Sequence, residues 1–322
     1  MIHIETANLY DLYPERARFG GGQLTVYALE PIAKVDPDRR FPAVLIMPGG
    51  AYRWVSPREA EPVAMRFLSR GFSCFILNYT CAPARFPVAL REAAMAMTFI
   101  RSNAYRLHID TKHVAALGFS AGGHLCGTLG TLYDAPEVAD IASPDTIRPD
   151  ALVLCYPVSA SYGRTHGESF DNLCGEDQAL KDRLSLDRLV RRDMMPVFLW
   201  HTRTDDSVPA DGTMRLAMAL AEKDVPFSLH VFAAGRHGLA TADDLVYRRD
   251  NLPLVSDGVM DWPELAVRFL TDYLLGDPYF YCAYAGHNLV RTRCQIALAQ
   301  DMQRKMGEME RIIAACAEKY RG

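Results

Sequence analysis

Val114-Ala-Ala-Leu-Gly-Phe-Ser-Ala-Gly-Gly-His-Leu125 is the stretch on which the reading of this chain turns. A short apolar run ends in Gly118-Phe-Ser-Ala-Gly122, and a segment compatible with a helix follows at once. This is the sequence form of a nucleophile elbow, a sharp strand-to-helix turn that lifts a serine hydroxyl clear of a sheet. The flanking glycines have a steric reason. The serine sits in a strained backbone conformation, and a Cβ on either side would collide with the neighbouring strand or helix. Chance alone produces the five-residue pattern about once in ten chains of this length. Its meaning therefore depends on whether the rest of the chain supplies a base, an orienting acid and an oxyanion hole.

Outward from the elbow, apolar runs alternate with segments of helical spacing from about residue 41 to residue 275. The strand candidates are Ala43–Met47, Phe72–Tyr79, Val114–Phe119, Ala151–Tyr156, Val197–His201 and Phe227–Phe232. Most are continuous apolar runs, as in strands covered on both faces. Helices are expected over Arg58–Arg70, Val88–Tyr105, Ala121–Leu132, Leu184–Met194, Ala210–Lys223 and Asp261–Leu275. This rhythm predicts an α/β fold with a mostly parallel central sheet and helices on both faces. An antiparallel strand around Leu24–Leu29 is expected to precede it. Ser159–Lys181 breaks the rhythm; polar and Gly-containing, it reads as an excursion over the sheet edge, suited to a pocket wall.

Serine is a poor nucleophile at neutral pH and needs a base, itself held by an acid. In elbow enzymes the chain order is Ser, then Asp or Glu, then His. Two loops after predicted strands supply them: Trp200-His-Thr-Arg-Thr-Asp-Asp-Ser-Val-Pro209 offers Asp205 or Asp206, and Ala234-Gly-Arg-His-Gly-Leu-Ala240 offers His237. Both lie at carboxyl ends of strands, where parallel sheets place their sites. An oxyanion hole needs backbone N–H groups aimed at developing negative charge. One is expected from Ala121, at the start of the helix, where the dipole helps. The others are expected from Met47-Pro-Gly-Gly-Ala-Tyr52, whose glycines allow close approach to a substrate.

The bulk properties set limits. The 322 residues are 49% hydrophobic and 23% charged, with a net charge of −4 and no long run of one sign, which argues against nucleic acid or an anionic membrane as a partner. The N-terminus lacks the basic start and apolar stretch of a signal peptide, and no apolar window is long enough to span a bilayer. The eight cysteines are scattered without zinc spacing, so a reduced, cytoplasmic protein without metal or cofactor is expected.

The chain resembles the serine esterases of the α/β-hydrolase fold, in particular small acetyl esterases and acetylxylan-esterase-like proteins. The pieces that carry the resemblance are Pro48-Gly-Gly-Ala-Tyr52, Asn78-Tyr-Thr-Cys-Ala-Pro83 with Phe86-Pro87, Gly118-Phe-Ser-Ala-Gly-Gly-His-Leu125, Trp200-His-Thr through Asp205 with Val208-Pro209, and Gly235-Arg-His-Gly-Leu239. It implies Ser120 as nucleophile, Asp205 as acid, His237 as base, and Gly50, Ala51 and Ala121 as oxyanion donors. Asp205 is preferred over Asp206 because the acid of these esterases stands four residues before the proline of the Val-Pro step. Many of them carry a His where this chain has Pro48, so its loop must be braced differently.

The expected organisation is a catalytic domain over residues 1–275 and a helical extension over 276–322. Within the extension Met302, Met306, Met309, Ile313, Cys316 and Tyr320 form one apolar stripe, read as docking on the parent domain or pairing two copies in a homodimer. The expected activity is hydrolysis of a short-chain, acetyl-type ester of a sugar or small alcohol. The alternatives are an amidase or peptidase of the same fold, and an inactive scaffold that recruits a partner through the extension. His124 is read as a packed core histidine that could instead support the elbow. Tyr52 and Trp54 follow the oxyanion loop and are candidates for lining an acyl pocket or stacking on a sugar.

Overall fold

The computed structural model describes residues 1–13, 21–256 and 258–274. Its strands are β1 (Ile2–Asn8), β2 (Gln23–Leu29), β3 (Phe41–Met47), β4 (Ser73–Asn78), β5 (Ile109–Phe119), β6 (Ala151–Cys155), β7 (Val197–Thr202) and β8 (Phe227–Phe232). They form one sheet in the order β1-β2-β4-β3-β5-β6-β7-β8. β2 runs antiparallel to both β1 and β4, and every other pairing is parallel. The helices are α1 (Glu61–Leu68), α2 (Val88–Ser102), α3 (Ser120–Leu132), α4 (Pro144–Ile147), α5 (Gly167–Cys174), α6 (Gln178–Arg183), α7 (Leu186–Leu189), α8 (Asp211–Glu222) and α9 (Trp262–Tyr273).

β3 is buried along its whole length, as are β6 and β7, which accounts for their unbroken apolar sequences. Successive strand residues point to opposite faces, and β5 shows both layers at once. Gly118 faces α3, whereas the Phe119 ring packs edge-on against Trp262 of α9, centroids 5.7 Å apart. α1 shares the α9 face through Phe67, 6.3 Å from Trp262. Burial of a side chain such as Phe67 contributes about 1.5–3 kcal/mol.

Six expected strands and the antiparallel β2 are present, with ends shifted by a few residues. β1 was not anticipated, because an edge strand with one exposed face carries no continuous apolar run. The helix expected over Leu184–Met194 contracts to Leu186–Leu189, since Val190 is extended and the chain then turns to feed β7. The excursion Ser159–Lys181 is more regular than expected, holding α5 and the start of α6.

The chain divides into two compact units, Met1–Leu270 and Thr271–Gly322. Of the second, only Thr271–Leu274 is described. The apolar stripe from Met302 to Tyr320, with its docking or dimer readings, lies outside the described residues. Within the first unit, β3, β5, β6, β7 and β8 run parallel, so the loops leaving their carboxyl ends open along one edge of the sheet.

Candidate active site

Ser120 is the junction between β5 and α3, and it occupies the left-handed region with φ of 53°. The neighbouring glycines permit that turn. A Cβ on Gly118 would stand 2.1 Å from the Gly122 carbonyl oxygen, and one on Gly122 would stand 2.1 Å from the Met47 oxygen. The elbow is therefore wedged between its own helix and the end of β3. Ala121 follows as the second residue of α3, where N–H groups lack intrahelical acceptors and the dipole favours negative charge.

His237 stands on the loop after β8, with Nε2 at 2.8 Å from Ser120 Oγ and Nδ1 at 2.7 Å from Asp205 Oδ2. An ionised carboxylate only accepts, so Nδ1 carries the proton and the bare Nε2 faces the serine hydroxyl. Thr202 and Thr204 fix the histidine loop by donating to the Gly235 carbonyl at 2.9 and 3.0 Å.

Asp205 is buried, whereas Asp206 is exposed, which separates the two candidates left by the loop sequence. Asp205 Oδ1 accepts the Ser207 and Val208 N–H groups at 3.0 and 2.8 Å. Burial pushes its carboxyl up, but the hydrogen bonds from His201 and His237 outweigh this and hold it well below the usual carboxylate range. His201 was not singled out as a positioning residue from the sequence. Its Nε2 donates to the Val208 carbonyl at 2.8 Å and lies 3.3 Å from Asp205 Oδ2, while Nδ1 accepts from Thr213 at 2.8 Å.

The loop after β3 lies directly against the serine, because a Cβ on Gly49 would be 2.9 Å from Ser120 Cβ. The expected alternative to a histidine brace takes a definite form around Pro48. Tyr79 donates to the Pro48 carbonyl at 2.8 Å, Glu59 accepts the Gly49 N–H at 2.8 Å, and Asn172 of α5 donates to the Ala51 carbonyl at 2.9 Å. Among the described residues, the N–H groups of Gly50 and Ala51 have no hydrogen-bond acceptor. Asn172 carried no sequence signal, since its partner Ala51 lies 121 positions away, and nothing local to Glu59 marks Gly49 as its partner.

Tyr52 departs from its reading as a substrate contact. It is 3% exposed, and its hydroxyl donates to His124 Nδ1 at 2.8 Å, so it belongs to the packing beneath the loop. His124 in turn donates from Nε2 to the Leu184 carbonyl at 2.8 Å, and burial pushes its pKa down to about 4. The ring is thus a neutral link within the core. Trp54 is 47% exposed and borders a hollow of about 280 Å³ lined also by Thr80, Cys81, Ala82 and Pro83. The excursion does wall this edge of the sheet: Phe86 N–H bonds the Leu173 carbonyl at 2.9 Å, and Arg53 pairs with Glu168 at 2.9 Å.

Residues 32–220 match the BD-FAE family, well over half of the chain. The chain belongs to the BD-FAE family. It is an esterase-family protein of the α/β-hydrolase fold. Endo-1,4-beta-xylanase B of Butyrivibrio fibrisolvens is 37% identical over 220 residues, which are 65% of the BD-FAE chain and 34% of that protein. The acetylxylan esterase of Xylanibacter ruminicola is 26% identical over 204 residues, 61% of the chain and 40% of the esterase. The chain therefore spans about a third and two fifths of the length of these relatives. The crystal structure of an acetyl ester-xyloside bifunctional hydrolase from Caldicellulosiruptor lactoaceticus superposes with a TM-score of 0.68 at 34% identity, covering 80% of this chain and 90% of that one. Among the described residues of the BD-FAE chain, no helix is long and apolar enough to cross a membrane.

Proposed function

We propose that this chain is a serine esterase that removes short acyl groups, acetyl in particular, from a sugar or other small alcohol. The observation that carries the reading is the continuous relay Ser120–His237–Asp205, with hydrogen bonds of 2.8 and 2.7 Å. The acetyl and saccharide parts draw on the names of the similar acetylxylan esterase and acetyl ester-xyloside hydrolase. The exposed Trp54 face suits stacking on a sugar ring.

In this mechanism Ser120 Oγ attacks the ester carbonyl carbon as His237 Nε2 takes its proton. Asp205 holds the imidazole with Nδ1 protonated and stabilises the imidazolium. Charge gathering on the carbonyl oxygen is met by the N–H groups of Gly50, Ala51 and Ala121, each such donor typically contributing about 10²–10³ in rate. The tetrahedral intermediate collapses, and His237 passes its proton to the departing alkoxide, releasing the alcohol and leaving an acyl-serine. Water, deprotonated by His237, then attacks the acyl carbon and frees the carboxylic acid and Ser120.

The test is a chain-length series of p-nitrophenyl esters set beside acetylated xylo-oligosaccharides, with Ser120→Ala as control. The expected outcome is highest kcat/KM on acetyl esters and a fall in kcat of about 10⁴- to 10⁶-fold in the variant. Near-normal turnover by Ser120→Ala would refute the mechanism. A preference for long acyl chains would refute the substrate class alone.

A further inference from the structure

Glu59 is 3% exposed and takes no part in the relay, yet it sits between the two halves of the site. An unpaired carboxylate in such a place costs several kcal/mol, so its partners define what it does. One oxygen, Oε2, accepts the Gly49 N–H at 2.8 Å. The other, Oε1, accepts the Tyr156 hydroxyl at 2.6 Å. Tyr156 O in turn accepts the Ala240 N–H at 2.9 Å, three residues beyond the base. The same ring packs edge-on to His237, with centroids 5.1 Å apart and planes at 73°.

We propose that Glu59 and Tyr156 are a pair of positioning residues that fix the oxyanion loop relative to the base. The pair ties three segments, the loop after β3, the turn after β6 and the loop after β8, through one carboxylate and one hydroxyl. This proposal rests on the esterase reading of the site.

Three features make the tie stiff. Gly49 has no slack, since a Cβ there would meet Glu59 Oε2, the Phe119 oxygen and Ser120 Cβ, each at 2.9 Å. Tyr156 is held at φ of 37°, and its N–H bonds the Trp200 carbonyl at 2.8 Å. Burial, and then the Glu59 charge, push the Tyr156 phenol far above its ordinary range, so it stays a donor. With the Gly49 N–H committed to Glu59, the next two N–H groups of the loop remain for the substrate oxygen. Preset donors act in the transition state without reorganising, so a loss of alignment falls on kcat rather than on binding.

The deciding variant is Tyr156→Phe, which keeps the ring against His237 and removes only the hydroxyl. On the p-nitrophenyl ester that the wild type turns over best, kcat is expected to fall roughly 10- to 100-fold with KM within about twofold. The thermal midpoint is expected to fall as well, because Glu59 Oε1 and the Ala240 N–H lose their partner, so kcat and KM are read at a temperature where the variant is fully folded. Glu59→Gln is the second variant, because the two donors face different oxygens and the amide sets an –NH₂ against either the Gly49 N–H or the Tyr156 O–H. The double variant should be about as impaired as the worse single one, since both break one linkage. A Tyr156→Phe enzyme with kcat within about threefold of wild type would overturn the proposal, as would losses that multiply in the double variant. If Glu59→Gln fails to fold, the Tyr156→Phe result decides alone. Ser120→Ala separates the two levels: its activity would remove the esterase reading, whereas its inactivity beside a fully active Tyr156→Phe would remove only the positioning role.

Discussion

Asp205 is where the electrostatics of the site concentrate. Its side chain accepts from two backbone N–H groups, is approached by His201 and faces His237, so every lone pair is engaged although the group is buried. Its carboxyl lies well below the usual range and is therefore ionised throughout the neutral region. Replacing it by Asn keeps the shape and discards the charge, and an amide –NH₂ turned to Nδ1 would force the proton to the wrong ring nitrogen. Asp205→Asn is expected to lower kcat about 10⁴-fold with KM little altered, read from saturation curves on an acetyl ester. Activity within about tenfold of wild type would show that the carboxylate does not orient the base.

At the scale of elements, the join between β5 and α3 tolerates no added atom. A Cβ on Gly122 would press on backbone oxygens of Met47 and Pro48, at 2.1 and 2.3 Å, and backbone cannot swing aside as a side chain can. Gly122→Ala is expected to destabilise the protein by about 3 kcal/mol, measured by chemical denaturation. A cost below about 1 kcal/mol would show that α3 shifts freely against β3. The same scale shows what sequence can and cannot disclose. β3, β5, β6 and β7 were legible because strands buried on both faces must be apolar at successive positions. β1 was not, since Ile2 and Ile4 point to solvent and the strand exists through pairing with β2. Ser120, Asp205 and His237 each follow a readable strand in the expected order. Glu59 and Tyr156 are 97 positions apart, and nothing local to either marks the other as its partner. Tyr52 is a related case: in sequence it belongs to the loop after β3, but its hydroxyl turns inward to His124.

For the molecule as a whole, His124 makes stability depend on pH. In the unfolded chain its imidazole titrates near the ordinary value of 6.5, whereas in the fold its pKa is pushed down to about 4. Between those values the unfolded chain binds a proton that the native protein does not. Stability therefore rises with pH across the window and is lost as pH falls from about 6.5 towards about 4. His124→Gln retains a donor for the Leu184 carbonyl and removes the titration. The difference in unfolding free energy between the two proteins is expected to vary by on the order of 3 kcal/mol over that window. A difference that does not vary with pH would show that the ring is not held neutral in the native protein.

The tryptophans give the molecule a spectroscopic consequence. Trp200 and Trp262 lie fully buried with their rings stacked, centroids 5.4 Å apart and planes at 20°, in the aromatic cluster that joins β7 to α9. Trp54, the third and last tryptophan of the chain, is 47% exposed and follows the loop after β3. The indole signal is thereby split by location. Two emitters are shielded from aqueous quenchers and lie in ring contact with each other, and they register the integrity of the core. One emitter stands beside the loop after β3, open to aqueous quenchers. Intrinsic light emission can thus tell a change at the loop after β3 from a loosened interior without a label.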